Sequence, residues 1–300
     1  MESIKTTDAP LAVSNLLNSQ KYTKENILQY HQFITERYVV NNPDSRGMLL
    51  CYSMGFGKTI SSIALSEFYR SRNDWKVVVL LAKSLVDNYK SNIHKYMDIT
   101  GKTQEESHDM IEKNYKFISL NSSNMYDSMS NIKKSDDAIE IEKQLKQDGT
   151  ILTVGDSGFL EDTIIVVDEA QVFFNSITNG STNAILLYDK IMATKNVKLL
   201  FLSGSPMINR PQELIPCFNM LNGFVRPNKH DKYYLFPEQE SMFNKYFIDE
   251  KTNQIKNKGL FQNRIFGMVS YFGNYYTEGT AKHFPKVLPL ETVSVPMSIT

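Results

Sequence analysis

Two cysteines in 300 residues leave no material for a disulfide framework, and Cys51 lies in an apolar run where it would pack as a small hydrophobe. A reducing compartment is the simpler expectation. Net charge is missing as well, because 33 Lys and Arg offset 33 Asp and Glu. A uniformly basic coat for polyanions is thereby excluded, and any contact with nucleic acid has to come from local patches. No apolar run approaches the roughly 18 residues of a membrane span, and the N-terminal MESIKTTDAPLAVSNLL has no basic segment followed by a sustained apolar one. These absences predict a soluble, unsecreted protein with no membrane partner. The five histidines are scattered and no Cys/His group has zinc spacing. The single tryptophan, Trp75, reads with the tyrosines and phenylalanines as core and rim rather than as a base-stacking platform.

What is present is a series of short, bounded apolar runs: MLLCY (48–52), VVVLLA (77–82), FISL (117–120), TIIVVDE (163–169) and LLFLS (199–203). Without polar alternation, such runs suit strands buried on both faces of a parallel sheet. Helical periodicity fills the spaces between them, as in Ile60, Ile63, Ala64 and Phe68, or Leu85, Tyr89 and Ile93. Strand and helix in alternation predict a doubly wound α/β domain. Residues 121–160 break the rhythm and read as an insertion, with NSSNMYDSMSN as a flexible polar stretch and DDAIEIEKQLKQ as a short charged helix. Past residue 222 the alternation stops. The expectation is therefore a domain over 1–222 and a helical or irregular extension over 223–300, in which VLPLETVSVPMS reads as a strand beginning something further.

The turn Gly55, Phe56, Gly57, Lys58, Thr59 follows the first apolar run and opens a helical pattern, which is the setting of a phosphate-binding loop. Backbone N–H groups at a helix N-terminus point at the anion, and glycines let the backbone come close. Lys58 would reach the β- and γ-phosphates and the Thr59 hydroxyl would ligate Mg²⁺. In the pattern G-x-x-x-x-G-K-[ST], however, the first glycine falls on Tyr52. The plain alternative is a glycine turn with a solvated lysine. A second feature favours the phosphate reading: IIVVDEAQVFF puts Asp168 and Glu169 at the end of a buried strand, where unpaired charges are costly to desolvate. Asp168 suits a Mg²⁺ ligand through water and Glu169 suits a group that orients or deprotonates an attacking water, the two roles phosphoryl transfer needs.

MGFGKT, VVDEAQ and LFLSGSPMIN stand in the order and spacing of motifs I, II and III of superfamily 2 helicases and translocases, and over most of its length the chain resembles that family. The S-G-S-P form followed by RPQELIPCFNMLNGF is similar to Swi/Snf-type translocases and to ATPases of large cytoplasmic DNA viruses. Within these it most resembles the poxvirus-type early transcription factor small subunit, with viral nucleoside triphosphate phosphohydrolase I as a cousin. The stretch GMVSYFGNYYTEGTAKHFPKVLP resembles the segment that precedes the second core domain in those proteins.

The resemblance implies a RecA-like first helicase core domain that binds ATP and Mg²⁺. Gln32, in ILQYHQFI, matches the glutamine that contacts adenine, which implies a preference for ATP over GTP. Gln171, Ser203, Gly204 and Ser205 match residues that couple the nucleotide state to the grip on nucleic acid. Lys83 and Ser84 fall where motif Ia contacts a backbone phosphate, with Ser84 as a helix cap, the alternative being a plain strand-to-helix turn. The implied partners are DNA or RNA, a second RecA-like domain supplying arginines at the γ-phosphate, a large transcription-factor subunit and viral RNA polymerase, in the host cytoplasm and the virion. No Q-x-x-G-R-x-x-R pattern follows SGSP, and Arg210, Arg226 and Arg264 match no finger position, so the sequence is expected to be the N-terminal part of a longer protein. KTNQIKNKGLFQNR (251–264), with four basic and no acidic residues, is either a phosphate-facing patch or a solvated face. Two other functions stay open: a metabolic P-loop kinase or simple NTPase, and a non-catalytic scaffold. The first is disfavoured by Gln32, DEAQ and SGSP together. The second would predict loss of Lys58, Asp168 or Glu169.

Overall fold

Each of the five apolar runs is a strand in the computed structural model, which describes residues 28–120, 122, 125–130, 160–225, 233–249, 251–252 and 254–273. They are β1 (Gly47–Tyr52), β2 (Lys76–Leu81), β3 (Tyr115–Ser119), β4 (Thr163–Asp168) and β5 (Val197–Ser203). A sixth, β6 (Val269–Phe272), completes a sheet of order β3-β2-β4-β5-β1-β6 in which every pairing is parallel. Parallel strands need crossovers, and helices supply them on both faces. α1 (Tyr30–Asn41), α2 (Lys58–Asn73), α3 (Val86–Ile99) and α4 (Gln104–Asn114) cover one face. There Val39, Ile63, Ile93 and Ile111 pack on Leu50, Val79, Val166 and Leu202. The other face carries α5 (Met125–Ser130), α6 (Ala170–Thr178), α7 (Thr182–Ala193), α8 (Leu214–Asn222), α9 (Glu240–Phe247) and α10 (Lys258–Ile265). Their Phe173, Leu187, Phe218, Phe243 and Phe261 join Leu49, Val78, Val167 and Phe201. Neighbouring residues of one strand thus enter different cores, which is why the runs show no polar alternation.

The sheet reaches past residue 222, into the stretch expected to form only an extension. β6 lacks a continuous buried run because it is an edge strand, half-buried along Val269, Ser270 and Phe272 and exposed at Tyr271. The expected flexible stretch NSSNMYDSMSN contains α5, held to the core by Met125 and Met129, one helical turn apart. The helix expected in DDAIEIEKQLKQ and the strand in VLPLETVSVPMS lie outside the described residues. Trp75 is core, stacked on Tyr69 at 5.5 Å.

The N-terminal end of the sheet is closed by Arg46. Its guanidinium donates to the carbonyls of Met220 (2.9 Å), Thr194 (2.6 Å) and Ile191 (2.7 Å), tying the ends of α7 and α8 to β1. Burial lowers its pKa to about 10, with Glu161 opposing, so it stays charged. Next to it Gly47, at φ 143°, passes so close to Leu199 that a Cβ would lie 1.8 Å from that residue's carbonyl oxygen. No other residue type fits there.

Candidate nucleotide site

Three adjacent strands, β4, β5 and β1, end at the same edge of the sheet, and the loops leaving them bring the expected residues together. After β1 the chain turns through residues 53–57 into α2. Gly57 is the residue before α2 and takes the left-handed conformation, φ 72°. A side chain there would be strained by the backbone, and its Cβ would push the Gln32 amide aside, from 2.2 Å. Lys58 Nζ donates to the Tyr52 carbonyl at 2.9 Å, folding the ammonium back over the loop. Thr59 is half-buried, and no described hydrogen bond engages its hydroxyl. Met54 and Gly55 are exposed while Phe56 is buried.

α1 braces this loop from the side. Gln32 Nε2 donates to the Gly57 carbonyl (3.2 Å) and its Oε1 accepts from the Gln29 N–H (2.7 Å). The side chain is buried, and both ends of its amide are engaged with backbone. In this arrangement Gln32 holds the loop; contact with a base would require one of those bonds to be exchanged. His31 Nε2 donates to the Phe56 carbonyl at 2.9 Å, and its ring stacks on Phe272 of β6 at 4.0 Å. Burial lowers the His31 pKa, with the Phe56 bond opposing, which keeps the imidazole neutral.

Asp168 ends β4, and Glu169 follows in the left-handed conformation, φ 50°, directly before α6. The Glu169 N–H donates to Asp168 Oδ1 at 3.1 Å. Burial raises the Asp168 pKa and the Glu169 charge raises it further, while that N–H and Lys58 pull the other way. Glu169 is exposed and accepts from Gln171 Nε2 at 2.7 Å. Gln171 Oε1 in turn accepts from Ser203 Oγ at 2.6 Å, and Ser203 Oγ accepts from the Ser205 N–H at 3.1 Å. The result is an unbroken chain from the carboxylate to the loop after β5. On that loop, a Cβ at Gly204 would be 3.5 Å from the Tyr52 carbonyl oxygen and 3.8 Å from Lys58 Nζ.

The carboxylate that fixes the loop after β5 was not foreseen. Glu213 is fully buried and accepts from Asn175 Nδ2 of α6 (3.0 Å) and from the N–H groups of Ile208 (2.6 Å) and Asn209 (3.1 Å). The available signal was an acidic residue two positions after Pro211 in an otherwise apolar stretch.

Two expectations about nucleic-acid contacts change. Lys83 and Ser84 are exposed on the same edge as the nucleotide residues, after β2, but Ser84 caps no helix. It sits inside a 3-10 turn, Lys83–Leu85, and the residue preceding α3 is Leu85. In the basic stretch 251–264, Arg264 is not a surface charge: Nη1 donates to the Leu235 carbonyl and the guanidinium lies over Phe236 (5.6 Å) and Phe247 (5.3 Å). Lys251 and Lys258 stay exposed. Arg210 forms a two-bond ion pair with Glu240, 2.8 and 2.9 Å, and Arg226 lies outside the described residues.

The donor set fits a nucleotide with a divalent cation. Burial first, and then the Glu169 charge, push the Asp168 carboxyl up, and a bound cation would relieve both. Were a nucleotide with Mg²⁺ bound, Lys58 at the positive end of α2 would face its phosphates, and Thr59 and Asp168 would be the residues to hold the cation.

The parallel sheet with helices on both faces defines a RecA-like α/β domain. The sheet and its helices superpose on the Sulfolobus solfataricus SWI2/SNF2 ATPase core in complex with dsDNA with a TM-score of 0.51 at 17% identity, covering 86% of this chain and 47% of that one. The model of the SNF2-related domain matches residues 16–258, and the chain belongs to that family. It is 30% identical over 289 residues to the termination factor NPH-I homolog of African swine fever virus, covering 91% of this chain and 35% of that protein. It is 25% identical over 232 residues to nucleoside triphosphatase I of Amsacta moorei entomopoxvirus, covering 75% of this chain and 30% of that protein. The chain thus spans about a third of the length of these curated relatives. Among the described residues no helix is long and apolar enough to cross a membrane.

Proposed function

We propose that this chain is the ATP-binding first core domain of a DNA-dependent ATPase of the translocase type that acts in viral transcription. The observation that carries the reading is the convergence of Lys58, Asp168, Glu169 and Gly204 on the ends of three neighbouring strands, with Lys58 within electrostatic reach of Asp168. Lys58 neutralises the β/γ-phosphates. Thr59 and Asp168 would hold Mg²⁺, which when bound would supply charge neutralisation to the phosphates. Glu169, at the exposed end of the pair, orients the water that attacks the γ-phosphoryl group and takes up its proton. Because Glu169 is tied through Gln171 to Ser203 and the loop after β5, a change at the phosphate is felt by a loop on the edge where Lys83 and Ser84 are exposed. That edge is the proposed track for DNA, with RNA as the second candidate. A second RecA-like domain, a large transcription-factor subunit and viral RNA polymerase are the proposed partners, in the cytoplasm of the host and in the virion. The names of the African swine fever virus and entomopoxvirus relatives support transcription and nucleotide hydrolysis respectively.

The test is ATP turnover with and without single- and double-stranded DNA, measured on a protein of the full length of these relatives. Glu169→Gln should leave ATP binding nearly intact and slow turnover by about two orders of magnitude or more, since it alters the base and not the phosphate contacts. Normal turnover in Glu169→Gln would remove the residue from the chemistry. Turnover indifferent to DNA would favour the simple NTPase.

A further inference from the structure

Tyr52 occupies the position where the phosphate-loop pattern has its first glycine, and its surroundings give that departure a purpose. The ring is fully buried at the end of β1. Its hydroxyl belongs to a triangle with Thr35 Oγ1 of α1 (2.8 Å) and Ser270 Oγ of β6 (3.1 Å), and Thr35 and Ser270 are themselves 2.8 Å apart. Thr35 gives its only proton to the His31 carbonyl at 2.8 Å. Tyr52 and Ser270 must therefore be the donors within the triangle, and their two protons fill two of its three edges.

The backbone of the same residue meets Lys58 of the proposed nucleotide site. The peptide between Tyr52 and Ser53 is held at both ends: its N–H donates to the Phe272 carbonyl of β6 at 3.0 Å, and its carbonyl accepts from Lys58 Nζ at 2.9 Å. Rotating this peptide plane would move the lysine. We infer that Tyr52, Thr35 and Ser270 are positioning residues for Lys58, locking the 52–53 peptide so that the ammonium is already in place for phosphate and tying β6 to the nucleotide site. A lysine ammonium has three donors. With one on the Tyr52 carbonyl, two remain for phosphate oxygens without a search among rotamers. The dependence on β6 follows from register: Tyr52 pairs with Phe272, and among the described residues β6 has β1 as its sole strand neighbour. A shift of this edge strand reaches Lys58 through one peptide plane and one side chain.

The inference rests on the proposed nucleotide site, and the test separates the two. Binding of Mg²⁺ with a slowly hydrolysed ATP analogue is measured by calorimetry on the 300-residue chain and on Tyr52→Phe, Ser270→Ala, Ser270→Thr and Lys58→Ala. In parallel, the side-chain ammonium signal of Lys58 is followed by ¹⁵N NMR in the nucleotide-free protein and assigned by its loss in Lys58→Ala. Tyr52→Phe and Ser270→Ala should each weaken binding about 2- to 10-fold, the range expected for one buried neutral hydrogen bond, and broaden or erase the ammonium signal. Ser270→Thr, which keeps the hydroxyl, should restore both. If Lys58→Ala loses affinity while Tyr52→Phe and Ser270→Ala bind and tether the lysine as the parent does, the positioning role is overturned and the nucleotide site stands. Weakened binding with an unchanged ammonium signal also overturns it, because the effect then bypasses Lys58. If Lys58→Ala binds as tightly as the parent, the nucleotide site itself is wrong.

Discussion

At the scale of single residues the site is built from groups held away from their comfortable states. Asp168 is the clearest. Its carboxyl binds a proton more tightly in the folded chain than in the unfolded one, because burial and the Glu169 charge both disfavour ionisation. Stability from this group is therefore highest at acid pH, falls as pH rises from the unfolded value through the raised folded one, and is lowest at neutrality. Asp168→Asn removes the penalty. In the nucleotide-free protein it should raise the melting temperature at pH 7, with the gain shrinking as pH falls toward 4, while ATP turnover is lost. Melting curves of both proteins across that range decide the matter, and a gain that grows toward acid pH would mean Asp168 is stabilised by its neighbours. Lys58, Asp168 and Glu169 were legible in the sequence because a glycine turn and an acidic strand end are local patterns. His31, Thr35, Tyr52 and Ser270 form an equally specific group, yet Thr35 and Ser270 lie 235 positions apart and no pattern along the chain connects them.

Between elements, the sequence was readable wherever both faces of a strand are covered. β1 to β5 announce themselves as unbroken apolar runs, and β6 does not, since an edge strand of four residues with a half-buried face has no reason to be uniformly apolar. Helix ends were harder. Ser84 has the right residue type for a cap, but the chain tightens into a 3-10 turn before α3, and which turn forms depends on packing rather than on the residue. Arg264 sits in a basic run, but its guanidinium is covered by two phenylalanine rings supplied by α9 and the segment before it. The link from β4 to β5 makes its own prediction. Gln171→Ala removes the only described bridge between the Glu169 carboxylate and Ser203 and touches neither phosphate nor metal residues. It should leave ATP affinity within about twofold and lower DNA-stimulated turnover by about tenfold or more, read as kcat falling at constant KM. An equal loss in basal and stimulated rates would make Gln171 a support for Glu169 alone.

For the whole molecule, the arrangement of charges suggests how far this chain can go by itself. Phosphoryl transfer gains about 10³–10⁵ in turnover from an arginine at the γ-phosphate. Of the arginines after β5, Arg210 is paired with Glu240 and Arg264 is packed on aromatic rings. By itself the 300-residue chain should bind Mg·ATP weakly and hydrolyse it very slowly, whereas a protein of its relatives' length should show a DNA-stimulated rate higher by orders of magnitude. Turnover at tens per second by the chain alone would place such a cation within it. Arg46 bears on how such experiments are read. It grips three backbone carbonyls in a buried corner, contacts between an ion and neutral dipoles that dissolved salt screens little. Contacts between lysines and DNA phosphates, in contrast, weaken steeply as ionic strength rises. Between roughly 0.05 and 0.5 M salt the melting temperature should therefore hold nearly constant while DNA stimulation fades. Ionic strength then becomes a dial that would release the proposed DNA track and spare the fold, separating a protein that has let go of DNA from one that has come apart.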